Sequence, residues 1–296
     1  MKQTILATGA TGLVGSRFIE MFVGKYDVIN MDLTTGVDIT QVETFTPFIA
    51  KHPDAKVLIH LAAFTDTNQA FAQSGDKMGI CYKVNVEGTN NIADICKKRG
   101  IHLIHVSTDF VFDGLNPPAG GYLEDQSLSP IEWYGQTKAM AEGIVAESGA
   151  SYTIVRLSYP YRASYDLKPD IIKKIRAGLE SGKLYPQFTD TLITPTFIDD
   201  IASAFDKIIE LKPQGIFHTV GSDSLSPYNL ARKVATAYGF DPSVVKEGNM
   251  TEYSETTARH FTRTVVMSNV KASQTIGLHF ATIDEGLAEL QKQQGL

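Results

Sequence analysis

The sequence predicts a doubly wound α/β fold, a parallel β-sheet with helices on both faces, joined to a smaller C-terminal lobe. Three observations carry that prediction. Short β runs alternate with helical stretches through the first half, an order that produces a parallel sheet covered on both sides. A glycine-rich turn with Gly9, Gly12 and Gly15 lies between the first β run and the first helix. An acidic residue, Asp32, ends the second β run about twenty residues further on. With 296 residues, 43% of them apolar, the chain can bury a core of that size.

The elements follow in order. Thr4–Ala7 is a short β run, 12–22 carries helical periodicity, and Asp27–Met31 and Val57–Leu61 are the second and third strands. A helix is expected near Val86–Arg99. Its basic end, Lys97-Lys98-Arg99 followed by Gly100, suits a helix C-terminus. Strands follow at Ile101–Val106 and Tyr152–Arg156, with a helix from Tyr134 to Glu147 between them. Asp113–Pro130 is a long loop rich in Gly and Pro, a length that usually marks function. Helices are expected at 171–182 and Ile198–Leu211, and a strand at Gly215–Val220. Residues 1–158 therefore form the expected dinucleotide-binding domain, its sheet completed by parts of 195–222. Residues 159–194 and 223–296 form the expected smaller lobe.

Charge and composition exclude several functions. The net charge is −6, against a general nucleic-acid-binding surface, which needs clustered Lys and Arg. Cys81 and Cys96 lack a C-x-x-C companion, and the 7 histidines form no metal-binding motif, so neither a disulfide nor a metal is expected. His102 and His105, three apart on a strand, face opposite sides. No apolar run is long enough to span a bilayer. The N-terminus, Met1-Lys2-Gln3-Thr4, leads into a strand rather than a signal peptide. A cytoplasmic protein is expected.

The run from Ile5 to Gly15 reads strand, glycine turn, helix. Gly9 permits the tight exit from the strand, Gly12 lets backbone approach a pyrophosphate, and Gly15 lets the helix pack closely. The free N–H groups of the helix start bind the anion. Asp32 is expected to accept from the adenine-ribose hydroxyls and to repel a 2′-phosphate, favouring NAD(H) over NADP(H). Tyr134 and Lys138 stand at i and i+4 on one helix face. A nearby ammonium is expected to draw the Tyr pKa down from its ordinary value of about 10, making a general acid. Ser107, Thr108 and Asp109 end a strand where an open parallel sheet faces its ligand, and Thr108 suits a carbonyl oxygen.

With these residues assembled, the chain resembles the extended short-chain dehydrogenase/reductase family. The matching motifs are Thr8–Gly15, His60-Leu61-Ala62-Ala63, Asn85-Val86-Glu87-Gly88-Thr89, Tyr134–Lys138, Thr196–Ala202 and Gly215–His218. Within it, the likeness is to the dTDP-4-dehydrorhamnose reductases, carried by Ser107–Gly114, Tyr122–Asp125, Pro130 and Arg156–Tyr161. That resemblance implies a reductase of a nucleotide-linked 4-keto sugar, using NAD(H) with NADP(H) as the second option. It implies Thr108, Tyr134 and Lys138 as the catalytic set, with Lys138 also on the nicotinamide ribose. Around the cofactor it implies Gly9, Thr11, Gly12, Leu13, Val14, Asp32, Asp38, Ile39, Leu61, Ala62, Ala63, Asn85, Ser107, Tyr134 and Lys138. It puts Thr67, Thr108, Asp109, Tyr134 and Tyr159 near the sugar, Tyr159 standing where a Trp is usual. A homodimer through 86–99 and 134–147 is implied by resemblance alone.

Related chemistries separate at a few positions. Nucleotide-sugar 4,6-dehydratases follow Thr-Asp with Glu; Phe110 stands here and moves no protons. A 4-epimerase would keep NAD⁺ bound through turnover. A third alternative is a regulatory subunit resembling the methionine adenosyltransferase β subunit. The chain departs from the reductase pattern at Asp190–Thr196, at Arg259 and Arg263, neither of which precedes Pro, and at an insertion-like stretch, Gln73–Ile80.

Overall fold

The computed structural model describes residues 2–257 and 259–296. Met1, in the predicted lead into the first strand, lies outside them. Along the chain run β1 (Gln3–Thr8), α1 (Leu13–Phe22), β2 (Tyr26–Asn30), α2 (Val42–Lys51), β3 (Val57–His60), α3 (Thr67–Ala72) and α4 (Ile80–Tyr82). A π-helical segment, Lys83–Gly88, joins α4 to α5 (Thr89–Arg99). Then come β4 (His102–Thr108), α6 (Trp133–Glu147), β5 (Tyr152–Leu157), β6 (Pro160–Tyr161), α7 (Ile171–Glu180), β7 (Gln187–Phe188), β8 (Thr196–Phe197) and α8 (Ile198–Leu211). The chain ends with β9 (Gly215–His218), α9 (Pro227–Ala237), β10 (Glu247–Gly248), α10 (Met250–Glu255), α11 (Val270–Ile276) and α12 (Ile283–Gln294).

Six parallel strands form the main sheet in the order β2-β1-β3-β4-β5-β9. The central strands are apolar on both faces because helices cover both. Ile5, Ala7, Val57, Ile59 and Ile104 pack with Phe18 of α1, Phe205 of α8 and Ile276 of α11. Leu6, Leu58, Leu103 and Ile154 face the other way, onto Phe45 of α2, Ile92 of α5 and Val145 of α6. The strand order reverses beside β1, and β1 and β3 both end at that crevice, where open α/β sheets take their ligands. A separate core of Ile172, Ile175, Leu230, Val234, Leu287 and Leu290 holds α7, α9 and α12 together.

Three expectations change. The helix predicted from Val86 begins at Ile80 and runs through the π-helical segment, because Gln73–Ile80 is a turn that feeds it: Cys81 N–H donates to Gln73 Oε1 at 3.1 Å. Second, α2 is a helix absent from the expected elements; it carries Pro47 within it and turns Phe45 and Ile49 to the core. Third, the stretch 223–296 is not all lobe. Ala272, Ile276 and Phe280 pack into the sheet's own core, so the chain leaves the sheet, returns to it at α11, and leaves again for α12.

Candidate functional site

The glycine turn is positioned by contacts that leave no room for side chains. Gly9 has φ +68, and a Cβ there would lie 2.6 Å from Ala62 N and 2.7 Å from the Leu61 carbonyl carbon. The turn therefore nests directly on the residues after β3, and Leu61 N–H donates to Thr8 O at 3.0 Å. A Cβ on Gly15 would press on the backbone of Ala10 at 2.7 Å, so Gly15 keeps α1 tight against the turn as much as against the strand. Gly12 caps α1 without a side chain, and the first turn holds no acidic residue. The N–H groups at Leu13 and Val14 are left to face an anion.

Asp32 has a role the sequence did not predict. Oδ1 accepts from Ala10 N–H at 3.0 Å, and Oδ2 accepts from Thr11 N–H at 2.9 Å and the Thr11 hydroxyl at 2.8 Å. Its carboxylate braces the glycine turn, whatever ribose contact it also makes. Asp38 turns its own loop, accepting from Thr40 N–H at 2.9 Å and the Thr40 hydroxyl at 2.7 Å. Ile39 is buried against Gly88, whose missing side chain makes room for it. Asn85 is buried too. It accepts from Phe64 N–H at 2.7 Å and donates to the Thr137 hydroxyl at 3.0 Å, tying the loop after Ala63 to α6.

At the open end of β4, Thr108, Asp109 and Tyr134 come together. Gly135 is what permits it: a Cβ there would run into the Phe110 carbonyl oxygen, so only glycine lets α6 dock on this strand end. The Phe110 ring meets the Tyr134 ring edge-on at 5.5 Å. Asp109 is buried, accepting from Thr108 Oγ1 at 2.9 Å and Ser158 Oγ at 2.8 Å. Burial pushes its carboxyl up to about 6. The hydroxyl of Ser107 is buried without a partner. Tyr159 follows β5 with φ +40, a left-handed backbone that non-glycine residues adopt only under constraint. Thr67 is half-buried in the first turn of α3.

One electrostatic expectation is overturned. Burial and the Asp109 carboxylate push the Tyr134 phenol above its usual range, with the Thr108 hydroxyl opposing them. Lys138 does not draw it down. Lys138 is buried, its Nζ donates to Val106 O at 2.7 Å, and burial lowers its own pKa to about 8. The ammonium is turned toward β4 rather than toward the phenol.

Several side chains that build the cleft went unread in the sequence. Glu132, the N-cap position of α6, holds Arg259 through both Nε and Nη2, and Arg259 Nη1 reaches Asn68 Oδ1 at 2.7 Å. The same guanidinium lies 4.9 Å from the Phe261 ring and 5.5 Å from Phe71. From the lobe, Arg162 donates to Leu13 O at 3.0 Å, and Tyr165 OH donates to Thr11 O at 3.2 Å. Lys168 reaches Thr65 Oγ1 at 3.3 Å, so residues 162–168 bridge the two banks of the crevice. No local spacing signals these pairings; the Ser-Pro at Ser226 and the Thr-x-x-Glu at Thr282 mark only where the lobe helices α9 and α12 begin.

The residues fit a dinucleotide: an uncapped helix start, a cradle that a Cβ would fill, and an orphaned buried hydroxyl at Ser107. Comparison with known proteins agrees with the geometry. A probable low-salt glycan biosynthesis reductase of Haloferax volcanii is 28% identical, over 96% of this chain and 96% of its own. The crystal structure of a dTDP-4-dehydrorhamnose reductase ortholog from Clostridium acetobutylicum superposes with a TM-score of 0.86 at 26% identity, covering 99% of this chain and 100% of that one. The dTDP-4-dehydrorhamnose reductase of Bacillus anthracis, solved in complex with NADP, has the same fold, with a TM-score of 0.86 at 24% identity and 99% of each chain covered. The family model described as the RmlD substrate binding domain matches residues 1–295, and the chain belongs to that family.

Proposed function

We propose that this protein is a nicotinamide-dependent reductase of a nucleotide-linked 4-keto sugar, similar to dTDP-4-dehydrorhamnose reductase. The observation that carries the reading is the docking of α6 through Gly135 on the open end of β4, which sets Tyr134 against Phe110 beside Thr108 and the glycine turn's crevice. Gly9, Gly12, Leu13 and Val14 hold the pyrophosphate, and Thr11, Asp32, Asp38 and Ile39 line the adenosine end. Leu61, Ala62, Ala63, Asn85 and Ser107 line the rest of the dinucleotide site, and Lys138 holds the nicotinamide ribose. The dinucleotide supplies the hydride when bound. The single Thr108 proton, donated to Asp109 in the resting structure, turns to the substrate carbonyl and polarises it, and Tyr134 Oη delivers the proton to the alkoxide. A phenol held above its usual range by burial and Asp109 is stored as the acid form. Tyr159 and Thr67 contact the sugar, while Asp109, enclosed by Thr108 and Ser158, orients the Thr108 hydroxyl from beneath.

NADH is the preferred cofactor in this reading. The stretch from Asn30 to Thr40 contains no Lys or Arg to meet a 2′-phosphate, and Asp32 opposes one. The same proposal includes the lobe formed by α7, α9 and α12 as the substrate-binding part, a homodimer through α5 and α6, and a cytoplasmic location. Among the described residues no helix is long and apolar enough to cross a membrane.

The test is NADH oxidation across a panel of nucleotide-linked 4-keto sugars, with NADPH in parallel. Tyr134→Phe is expected to lower kcat by about 10²–10⁴-fold while leaving NADH binding intact. Full activity in that variant sinks the assignment of the acid. Bound NAD⁺ turning over without net NADH consumption selects the epimerase instead.

A further inference from the structure

Lys138 is held from two sides within the protein. Its Nζ donates to Val106 O at 2.7 Å and lies 3.5 Å from His105 Nε2. An ammonium has three donors. Two of them are directed at β4, which leaves one for whatever occupies the crevice.

The proton positions on the histidines beneath follow from their partners. Thr89 Oγ1 donates to Asn85 O at 2.7 Å, so it has no second proton and accepts from His60 Nε2 at 3.1 Å. His60 is buried, with burial lowering its pKa to about 3, and is therefore a neutral ring. Its Nδ1 accepts from Thr8 Oγ1 at 2.7 Å, and that hydroxyl in turn takes the Ala62 N–H at 3.3 Å. Every hydrogen in this chain is used, and His60 has none to offer its neighbour. The His105 ring lies 5.4 Å from the His60 ring, fully buried, with no partner at Nδ1. Its Nε2 meets only Lys138. An ammonium can only donate, so Nε2 carries the lone pair and the proton sits on the orphaned Nδ1. A buried donor without a partner is costly. Here that cost accompanies a bond to the lysine at the other nitrogen.

We propose that His105 is a positioning residue for Lys138: a neutral imidazole whose Nε2 accepts one ammonium hydrogen and so aims the remaining N–H into the dinucleotide crevice. This rests on the reading that Lys138 holds the nicotinamide ribose. The other titratable groups facing Lys138 are Glu142 on its own helix and Cys81 on α4, and His60 stands behind His105 on β3. Neither imidazole adds a positive charge beside Lys138.

Two measurements test it. In the wild-type protein, imidazole ¹⁵N NMR is expected to show the Nδ1–H tautomer at His105 and the Nε2–H tautomer at His60; an Nε2–H tautomer at His105 overturns the proposal without any substitution. Binding of NADH is then followed by quenching of Trp133, the single tryptophan. His105→Phe keeps a flat ring and removes the acceptor. It is expected to weaken NADH binding and raise its KM about five- to tenfold, with kcat changed less, while His105→Gln restores binding to within about twofold. Unchanged binding in His105→Phe, or no rescue by Gln, overturns the proposal and leaves the reductase reading standing. A wild-type protein that binds neither NADH nor NADPH overturns both.

Discussion

The two banks of the crevice are built by different physics. On the dinucleotide side the structure is mostly backbone. Glycines allow one segment to lie on another, as Gly9 does on Leu61 and Ala62, and helix N–H groups face outward. On the side proposed for the sugar the structure is mostly side chains from distant parts of the chain. Arg259 meets Glu132 and Asn68, which lie 127 and 191 residues away. The first bank tolerates almost no change in residue type but much change in composition elsewhere. The second can be rebuilt by exchanging a few side chains, which in the proposed function makes it the bank that selects the substrate.

The largest test of this contrast is Gly9→Ala. Its backbone is left-handed and its Cβ would overlap Ala62, so the variant is expected to lose about 4 kcal/mol of stability and all measurable NADH binding. Thermal unfolding and NADH titration read both. Ordinary binding in that variant breaks the claim that the first bank is made by close backbone approach.

Arg259→Ala probes the other bank. Glu132 is 7% exposed, and removing Arg259 leaves its buried carboxylate with only the Thr262 N–H and no counter-charge, at a cost of about 3 kcal/mol. The KM for the sugar is expected to rise while the NADH dissociation constant stays within about twofold. Adding Glu132→Gln to that variant should return part of the lost stability. Equal damage to NADH binding would show that the banks are not separable.

The smallest expected effect sits where the banks meet. Burial raises the Asp109 carboxyl to about 6 from an ordinary 3.8. The folded protein then holds this proton more tightly than the unfolded chain does. Its contribution is fully present below pH 3.8 and is lost as pH rises through 6. Relative to Asp109→Asn, wild type should lose about 2 kcal/mol between pH 4 and pH 7.5. Parallel stability curves for the two proteins would rule out a buried, strained carboxylate.

The contrast also governs what could be read in advance. The turn, Asp32 and the Tyr134/Lys138 spacing were legible because each depends on neighbours within a few residues or one strand. Their directions were not. Asp32, expected at the ribose, also braces Ala10 and Thr11; Lys138 was expected to lower the Tyr134 pKa and instead turns to Val106 and His105. His60 lay within a recognised motif, but its hydrogen-bond chain through Thr8 and Thr89 joins three separate elements. The lobe was least legible, because its core joins α7, α9 and α12 from distant parts of the chain and α11 abandons it for the sheet.

By itself, the sequence determined the parallel sheet, the pyrophosphate turn and the residue types able to move a proton, since periodicity and local spacing encode them. Tertiary structure alone decided where those groups point. Burial sets whether Tyr134 is held as an acid, whether Lys138 faces the phenol or β4, and which distant side chains close the crevice. Burial and long-range pairing depend on the whole packed chain, so no local pattern specifies them. The Gly9 turn is legible in eleven residues; the setting of Lys138 needs β3, β4, α4 and α6 at once.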